Sequence, residues 1–306
     1  MEWPESVDEV LAGDLAAGLA YLTPARGVVI TPMAPLGLRD REAGTVTLST
    51  SLGLWKKLER IRANPGVAVA FHARDHADSD RPEFVLVQGE ATVQSAPDRA
   101  WLDSIGPQWE HFLGKRKEGL LGRWQHVYYY ERVAITVAVR RILVWPTLDC
   151  AGEPVVHGEP LPDPPAPQSP PKNGTGPRTD AARLAAEVGR LPHSLLGWAG
   201  GDGLPMVTAV SATGAGPGGA ELIVPASVRP EGGRRAGLTA HRFEPRMVGQ
   251  EQRVYTGWLE VDGDRATYAP HTRAGYRLPA SNALMMLGSG ASTRLGLRKA
   301  RERGQA

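Results

Sequence analysis

The residues best suited to chemistry lie in TVTLSTSLGLWKKLERIRANPGVAVAF, Thr45 to Phe71. Three consecutive hydroxyl side chains, Ser49, Thr50 and Ser51, precede two adjacent cations, Lys56 and Lys57. Leu54, Leu58 and Ile61 fall at i, i+4 and i+7 and predict an amphipathic helix ended by Asn64-Pro65. Both lysines then sit in the first turn, where the helix dipole is positive and amide groups lack partners. Two cations there are unfavourable unless an anion joins them. Free N–H groups, neighbouring hydroxyls and ammonium groups together make a competent phosphate site. The other reading is a pair of lysines on a solvated helix face, which needs no ligand.

Other chemistry-bearing groups are less organised. HARDHADSD, His72 to Asp80, holds two histidines and three aspartates and could ligate a metal, but its polar composition between two strands predicts an exposed hairpin loop and no metal site. Cys150 is the single cysteine, lacks an activating pattern and reads as an inert thiol. The aromatic stretch RWQHVYYYER, with Trp124, His126, Tyr128, Tyr129 and Tyr130, is expected to pack at a barrel edge. The basic, glycine-punctuated segment Gly288 to Gly304 reads as a flexible tail. No nucleophile elbow, zinc-protease motif, P-loop or dinucleotide fingerprint occurs, and no catalytic residue is identifiable.

Composition sets the frame. The 306 residues are 42% apolar and 22% charged with a net charge of +2, so nothing global favours nucleic-acid or membrane partners. One cysteine excludes an intrachain disulfide framework. No apolar run reaches membrane-spanning length, and residues 1–20 carry five acidic side chains in place of a basic, then apolar, signal; the expected address is the cytoplasm.

The chain divides at residues 152–180, a Pro/Gly-rich stretch expected to be an extended linker. Before it, Gly27–Met33, Thr45–Ser49, Val67–His72, Phe84–Thr92 and Val133–Trp145 read as strands; after it, Leu204–Val210, Glu221–Pro225, Gly237–Phe243, Arg253–Val261 and Arg265–Pro270 do. The order repeats: a strand with a T-P or T-A step, a short strand, a third strand, then one interrupted by glycine (VQGEA, YTGWLE). An internal duplication explains this. Further helices are expected from Pro97, split or kinked at Pro107, and over 180–188. The predicted fold is mainly β, two tandem barrels with small helices.

At this point GVVITPM, the opening stretch and FVLVQGEATV, in this order, resemble the FMN-binding split-barrel superfamily, the pyridoxamine-5′-phosphate-oxidase-like proteins that include deazaflavin-dependent reductases. The likeness spans roughly residues 20–146 and is fainter in the second half. It implies an N-terminal cofactor domain, 1–151, and a C-terminal split-barrel-like domain, 181–306, forming an intrachain pseudo-dimer for which a monomer is an allowed state. The implied function is a flavin-dependent oxidoreductase acting on a small organic substrate. The implied phosphate ligands are Thr50, Ser51, Lys56 and Lys57 beside Ser49, with Lys-Lys standing where the family has Arg-Lys. Trp145 and Gln88 are implied near the flavin ring, and His241, Arg242, Gln250, Gln252 and Arg253 are polar candidates for the opposite wall. The second half offers only Arg234 and Arg235 in a turn, so one good site and one degenerate site are expected. The alternatives are a deazaflavin cofactor, or a ligand- or haem-binding barrel in which His72, His126 or His241 ligates iron.

Overall fold

The computed structural model describes residues 1–115, 129–280 and 294–302. The first half builds β1 (Ala16–Leu22), β2 (Val28–Met33), β3 (Arg39–Asp40), β4 (Thr45–Ser51), β5 (Gly66–Ala73), β6 (Phe84–Val93), β7 (Arg132–Trp145) and β8 (Val155–Gly158). The second builds β9 (His193–Ala199), β10 (Pro205–Ala209), β11 (Ser211–Gly216), β12 (Gly219–Ile223), β13 (Gly232–Arg242), β14 (Glu251–Asp262) and β15 (Arg265–Arg277). Helices are α1 (Glu5–Gly13), α2 (Trp55–Ala63), α3 (Arg99–Ser104), α4 (Gly106–Leu113), α5 (Ala181–Arg190) and α6, residues 294–301.

All ten expected strands form. The helix expected from Pro97 starts later, because Asp98 caps α3 by accepting from the amides of Ala100 and Trp101. Pro107 lies in the first turn of α4 and splits the two helices. Arg234 and Arg235 lie within β13, not in a turn. Residues 155–158 of the expected linker pair with β7 as β8. Further along, Gln168 pins the linker down: its amide N–H donates to Gly233 O at 2.8 Å and its side chain to Arg26 O at 3.2 Å.

The sheet orders are β2-β1-β5-β6-β7-β4-β3, with β8 beside β7, and β10-β9-β13-β14-β15-β12-β11. These are one order written twice, and the registers of the central strands match, differing where β1–β5 shifts between Ala16 and Ala17 and β11–β12 between Ala212 and Gly214. Each copy has a bulge opposite its internal glycine: Gln88 and Gly89 of β6 face Arg141 and Val139, leaving Arg140 of β7 extra, and Thr256 and Gly257 of β14 face Thr272 and Pro270, leaving His271 of β15 extra. A Cβ at Gly89 would collide with Ala138 O, and one at Gly257 with Ala269 O. The halves form a tandem, mainly β, duplicated barrel.

One core serves both halves. Ile30, Phe84, Leu143 and Trp145 of the first half share a buried cluster with Leu195, Trp198, Leu238 and Tyr255 of the second. At this seam β5 His72 meets β13 His241, with Nε2 atoms 2.7 Å apart. The registers make these residues equivalent: Gly18 faces Ala70 as Leu195 faces Thr239, and each histidine lies two residues further on. The pair therefore sits on the pseudo-twofold axis, where a residue contacts its own counterpart.

The proton positions follow from the partners. Nδ1 of His72 is 2.9 Å from Ala70 O, which can only accept, so Nδ1 carries the hydrogen and Nε2 is bare. His241 Nε2–H donates to it, leaving His241 Nδ1 bare, buried and without a partner. Burial drives both pKa values down, His72 to about 3, helped by nearby His193, whose Nε2 bonds Asp75 at 2.7 Å, and by Arg74. The unfolded chain binds these protons near pH 6.5 and the folded one does not, so stability falls as pH drops below 6.5. Asp14, raised by burial to about 7, acts with the opposite sign, because it gains a proton on folding. Urea titrations from pH 7 to 4.5 should therefore show a His72→Phe/His241→Leu variant losing less stability per pH unit than the natural chain. The difference approaches about 2.7 kcal/mol per unit for two histidines. Equal slopes would contradict the neutral pair.

Candidate functional site

The candidate site forms where β4 runs into a 3-10 turn, Leu52–Leu54, and then α2. No side chain caps α2; Ser51 Oγ instead accepts from Gly53 N and caps the 3-10 turn. Lys57 is four residues before Ile61 and shares its face, so its side chain is drawn inward and is 6% exposed. Its ammonium has no hydrogen-bond or ion-pair partner among the described residues. Desolvation, with the nearby Arg132 guanidinium, pulls its pKa down to about 7.

Arg132 opens β7 opposite Ser51. Its Nε donates to Ser49 Oγ at 2.9 Å and its terminal nitrogen to Ser49 O at 2.8 Å, while the guanidinium lies 4.4 Å over the Trp109 ring. Ser49 Oγ accepts that bond, so its own hydrogen remains to be donated. Two cations and a hydroxyl donor converge here. Such a set stabilises a bound anion.

The expected residues divide three ways. Ser49, Ser51 and Lys57 belong to the site. Thr50 is buried but points to the other sheet face, since alternate residues of a strand do so. Lys56 is exposed and rests 5.5 Å from the Trp55 ring. Gln88 and Trp145 lie elsewhere. Gln88 Nε2 donates to Pro205 O of the second half and Oε1 accepts from Arg141, both at 2.6 Å, so the amide is consumed by the seam. Trp145 is fully buried against Phe84, its indole N–H reaching Ser227 Oγ at 3.4 Å. It ends the 14-residue β7 that Arg132 begins, roughly 40 Å along the strand at about 3.3 Å per residue.

The wall from the second half comes from α6. Leu297 is buried with Leu52 and Leu58 in the first-half core, and Gly296 backs Gly53. The expectation of a flexible tail is corrected for residues 294–302. Of the other wall candidates, His241 is occupied by His72 and Gln250 donates to Tyr276. Arg253 pairs with Glu187 and Glu251, and Arg242 lies 3.8 Å from Glu244. His72 lies in β5, as the expected strand Val67–His72 has it, while Asp75 and His76 are exposed beyond it. Among the described residues no group of three or more His, Cys, Asp or Glu side chains could hold a metal. Cys150 is buried and its thiol is pushed up to about 12, as an inert thiol requires. Trp124, His126 and Tyr128 lie outside the described residues. Arg132 and Trp109 were missed by sequence reasoning, although the aromatic stretch ends on Arg132.

A cavity of about 690 Å³ lies beneath the linker between Arg26 and Arg235, and another of about 550 Å³ lies beside Cys150. Neither includes Lys57. No described helix is long and apolar enough to cross a membrane.

The fold is a tandem, mainly β, duplicated barrel. No family model and no curated protein matches the chain. Among solved structures, it is similar to a conserved hypothetical protein from Mycobacterium tuberculosis, at 18% identity over 48% of this chain and 86% of that one, TM-score 0.37. A protein related to general stress protein 26, of the pyridoxinephosphate oxidase family, from Clostridium acetobutylicum shows 14% identity over 50% and 92%, TM-score 0.36. An F420 reductase shows 19% identity over 46% and 98%, TM-score 0.34.

Lys57 is a charge held out of water without a counter-ion, and removing it should stabilise the ligand-free protein. The unfolded chain keeps the lysine protonated up to pH 10.5 and the folded one only to about 7, so folding is penalised as pH falls through that window and remains so below it. Lys57→Met should raise the unfolding free energy at pH 7 by about 4 kcal/mol in urea titrations. A loss of stability would mean that a partner holds the ammonium.

Proposed function

We propose that this chain is a flavin-dependent oxidoreductase that binds FMN through its phosphate at Lys57 and acts on a small organic substrate. The observation that carries the reading is the buried, partnerless ammonium of Lys57 beside Arg132 and Ser49. Its donor set suits a phosphate monoester: two cations for two negative charges and a hydroxyl with a hydrogen to give. When bound, the flavin supplies the hydride donor and acceptor. The chain binds and orients. Lys57 and Arg132 neutralise the phosphate, Ser49 donates to it, and α6 packs over the adjoining 3-10 turn and shields that side from water. Trp109 and Tyr129, edge to face with centroids 5.8 Å apart, offer aromatic surface beside Arg132. Residues 1–151 are the cofactor domain in this reading. Residues 181–306 form a second domain without a working copy of the phosphate corner, joined through 152–180.

Two similar structures, one of the pyridoxinephosphate oxidase family and one an F420 reductase, accord with a redox cofactor of this type. The test is titration of the full chain with FMN and, separately, with F420, followed by absorbance and calorimetry. One FMN should bind per chain. Lys57→Met should weaken it by about a hundredfold, near 3 kcal/mol for a charge-assisted contact, whereas Lys56→Ala should change it by less than about threefold. Binding of F420 alone would replace the cofactor while keeping the corner. Two equivalent sites, or no binding of either, would overturn the proposal.

A further inference from the structure

The second half's counterpart of the phosphate corner is a cavity with different chemistry. Strand register fixes the equivalence. Gly89 pairs with Val139 as Gly257 pairs with Pro270, so Val137 corresponds to Tyr268. Val46 faces Val137 as Ala220 faces Tyr268. Counting on, Ser49 corresponds to Ile223 and Ser51 to Pro225. The helix with Lys57 is replaced by a single 3-10 turn, Ala226–Val228. Ile223, Pro225 and Ala226 all line the cavity of about 550 Å³.

Its other wall is supplied across the seam by residues 149–153, which follow β7. This mirrors the first site, where α6 follows β15. The size is ordinary for a small-molecule pocket. The chemistry is inverted. Cys150, Val210, Ile223 and Ala226 offer apolar surface, and Ile223 is 59% exposed although Ser49 at the equivalent place is buried. No lysine, arginine or histidine lines the cavity, whereas Asp149 and Glu153 do. Neither carboxylate has an ion-pair partner among the described residues. Asp149 Oδ1 accepts from Thr147 Oγ1 at 2.5 Å and Ala151 N at 3.1 Å, which fixes the group at the cavity.

We infer that this cavity is a separate binding site for a small organic monocation with an apolar body, an alkyl- or arylammonium. The charged head meets Asp149 and Glu153, and the body covers Ile223, Val210 and Ala226. An anion of the same size meets two carboxylates and no cation. The inference stands independently of the flavin reading.

Calorimetric titration of the full chain with n-hexylammonium chloride and with sodium n-hexanoate tests it. Hexylammonium should bind at least about tenfold more tightly than hexanoate. The Asp149→Asn/Glu153→Gln variant, altered only at exposed side chains, should lower that preference below about threefold. Ala226→Trp should abolish hexylammonium binding by filling the cavity, and FMN titration of the same samples shows whether the first site is intact. Equal binding of both probes, binding of neither, or hexylammonium affinity unchanged by Ala226→Trp would overturn the inference.

Discussion

Each sheet has an apolar face that only the other sheet covers. Trp145, Phe84 and Ile30 are enclosed because Trp198, Leu195 and Leu238 lie against them. Hydrophobic burial at this seam forces the two halves into register, and the register places the end of each short strand, β4 or β12, beside the segment that follows the last long strand of the other half. Both candidate sites are products of that arrangement. Polar groups trapped there must satisfy one another, as Gln88, Arg141 and Asp202 do by hydrogen bonds and an ion pair.

Against this background Lys57 is an exception. Most of the other buried polar side chains are paired, including Arg74 with Asp14 and Glu187 with Arg273. A partnerless ammonium is a standing cost to folding, and it makes sense as a preorganised half of an ion pair whose other half arrives in solution. The seam histidines solve their problem differently, by remaining neutral and sharing one hydrogen. Buried basic groups thus meet different surroundings, the seam histidines bonded to each other and Lys57 facing the Arg132 guanidinium.

The strand pattern, the helix before Asn64-Pro65 and the duplication were legible because turn residues and period-two runs are local signals. β1 and β9 were not. AAGLAYL and HSLLGWA are covered on both faces, so they lack alternation, and they hold no β-branched residue. Which lysine turns inward was readable in principle, since Lys57 shares a face with Ile61 and Lys56 does not. Arg132 could not be found that way, because its place opposite Ser51 depends on pairing between residues 81 positions apart. Gln88 and Trp145 came from resemblance, and their side chains serve the seam. His72 was legible as the end of the strand Val67–His72, and the strand runs one residue past it.

The pinned linker has a kinetic consequence. In a two-chain assembly of this shape, the seam would form by collision, and dilution would dissolve it. Here Gln168 bonds to both halves of one polypeptide. Closure is then unimolecular, with an effective concentration set by the tether and not by abundance in solution. A chain present at a few copies keeps its seam as surely as one present at thousands.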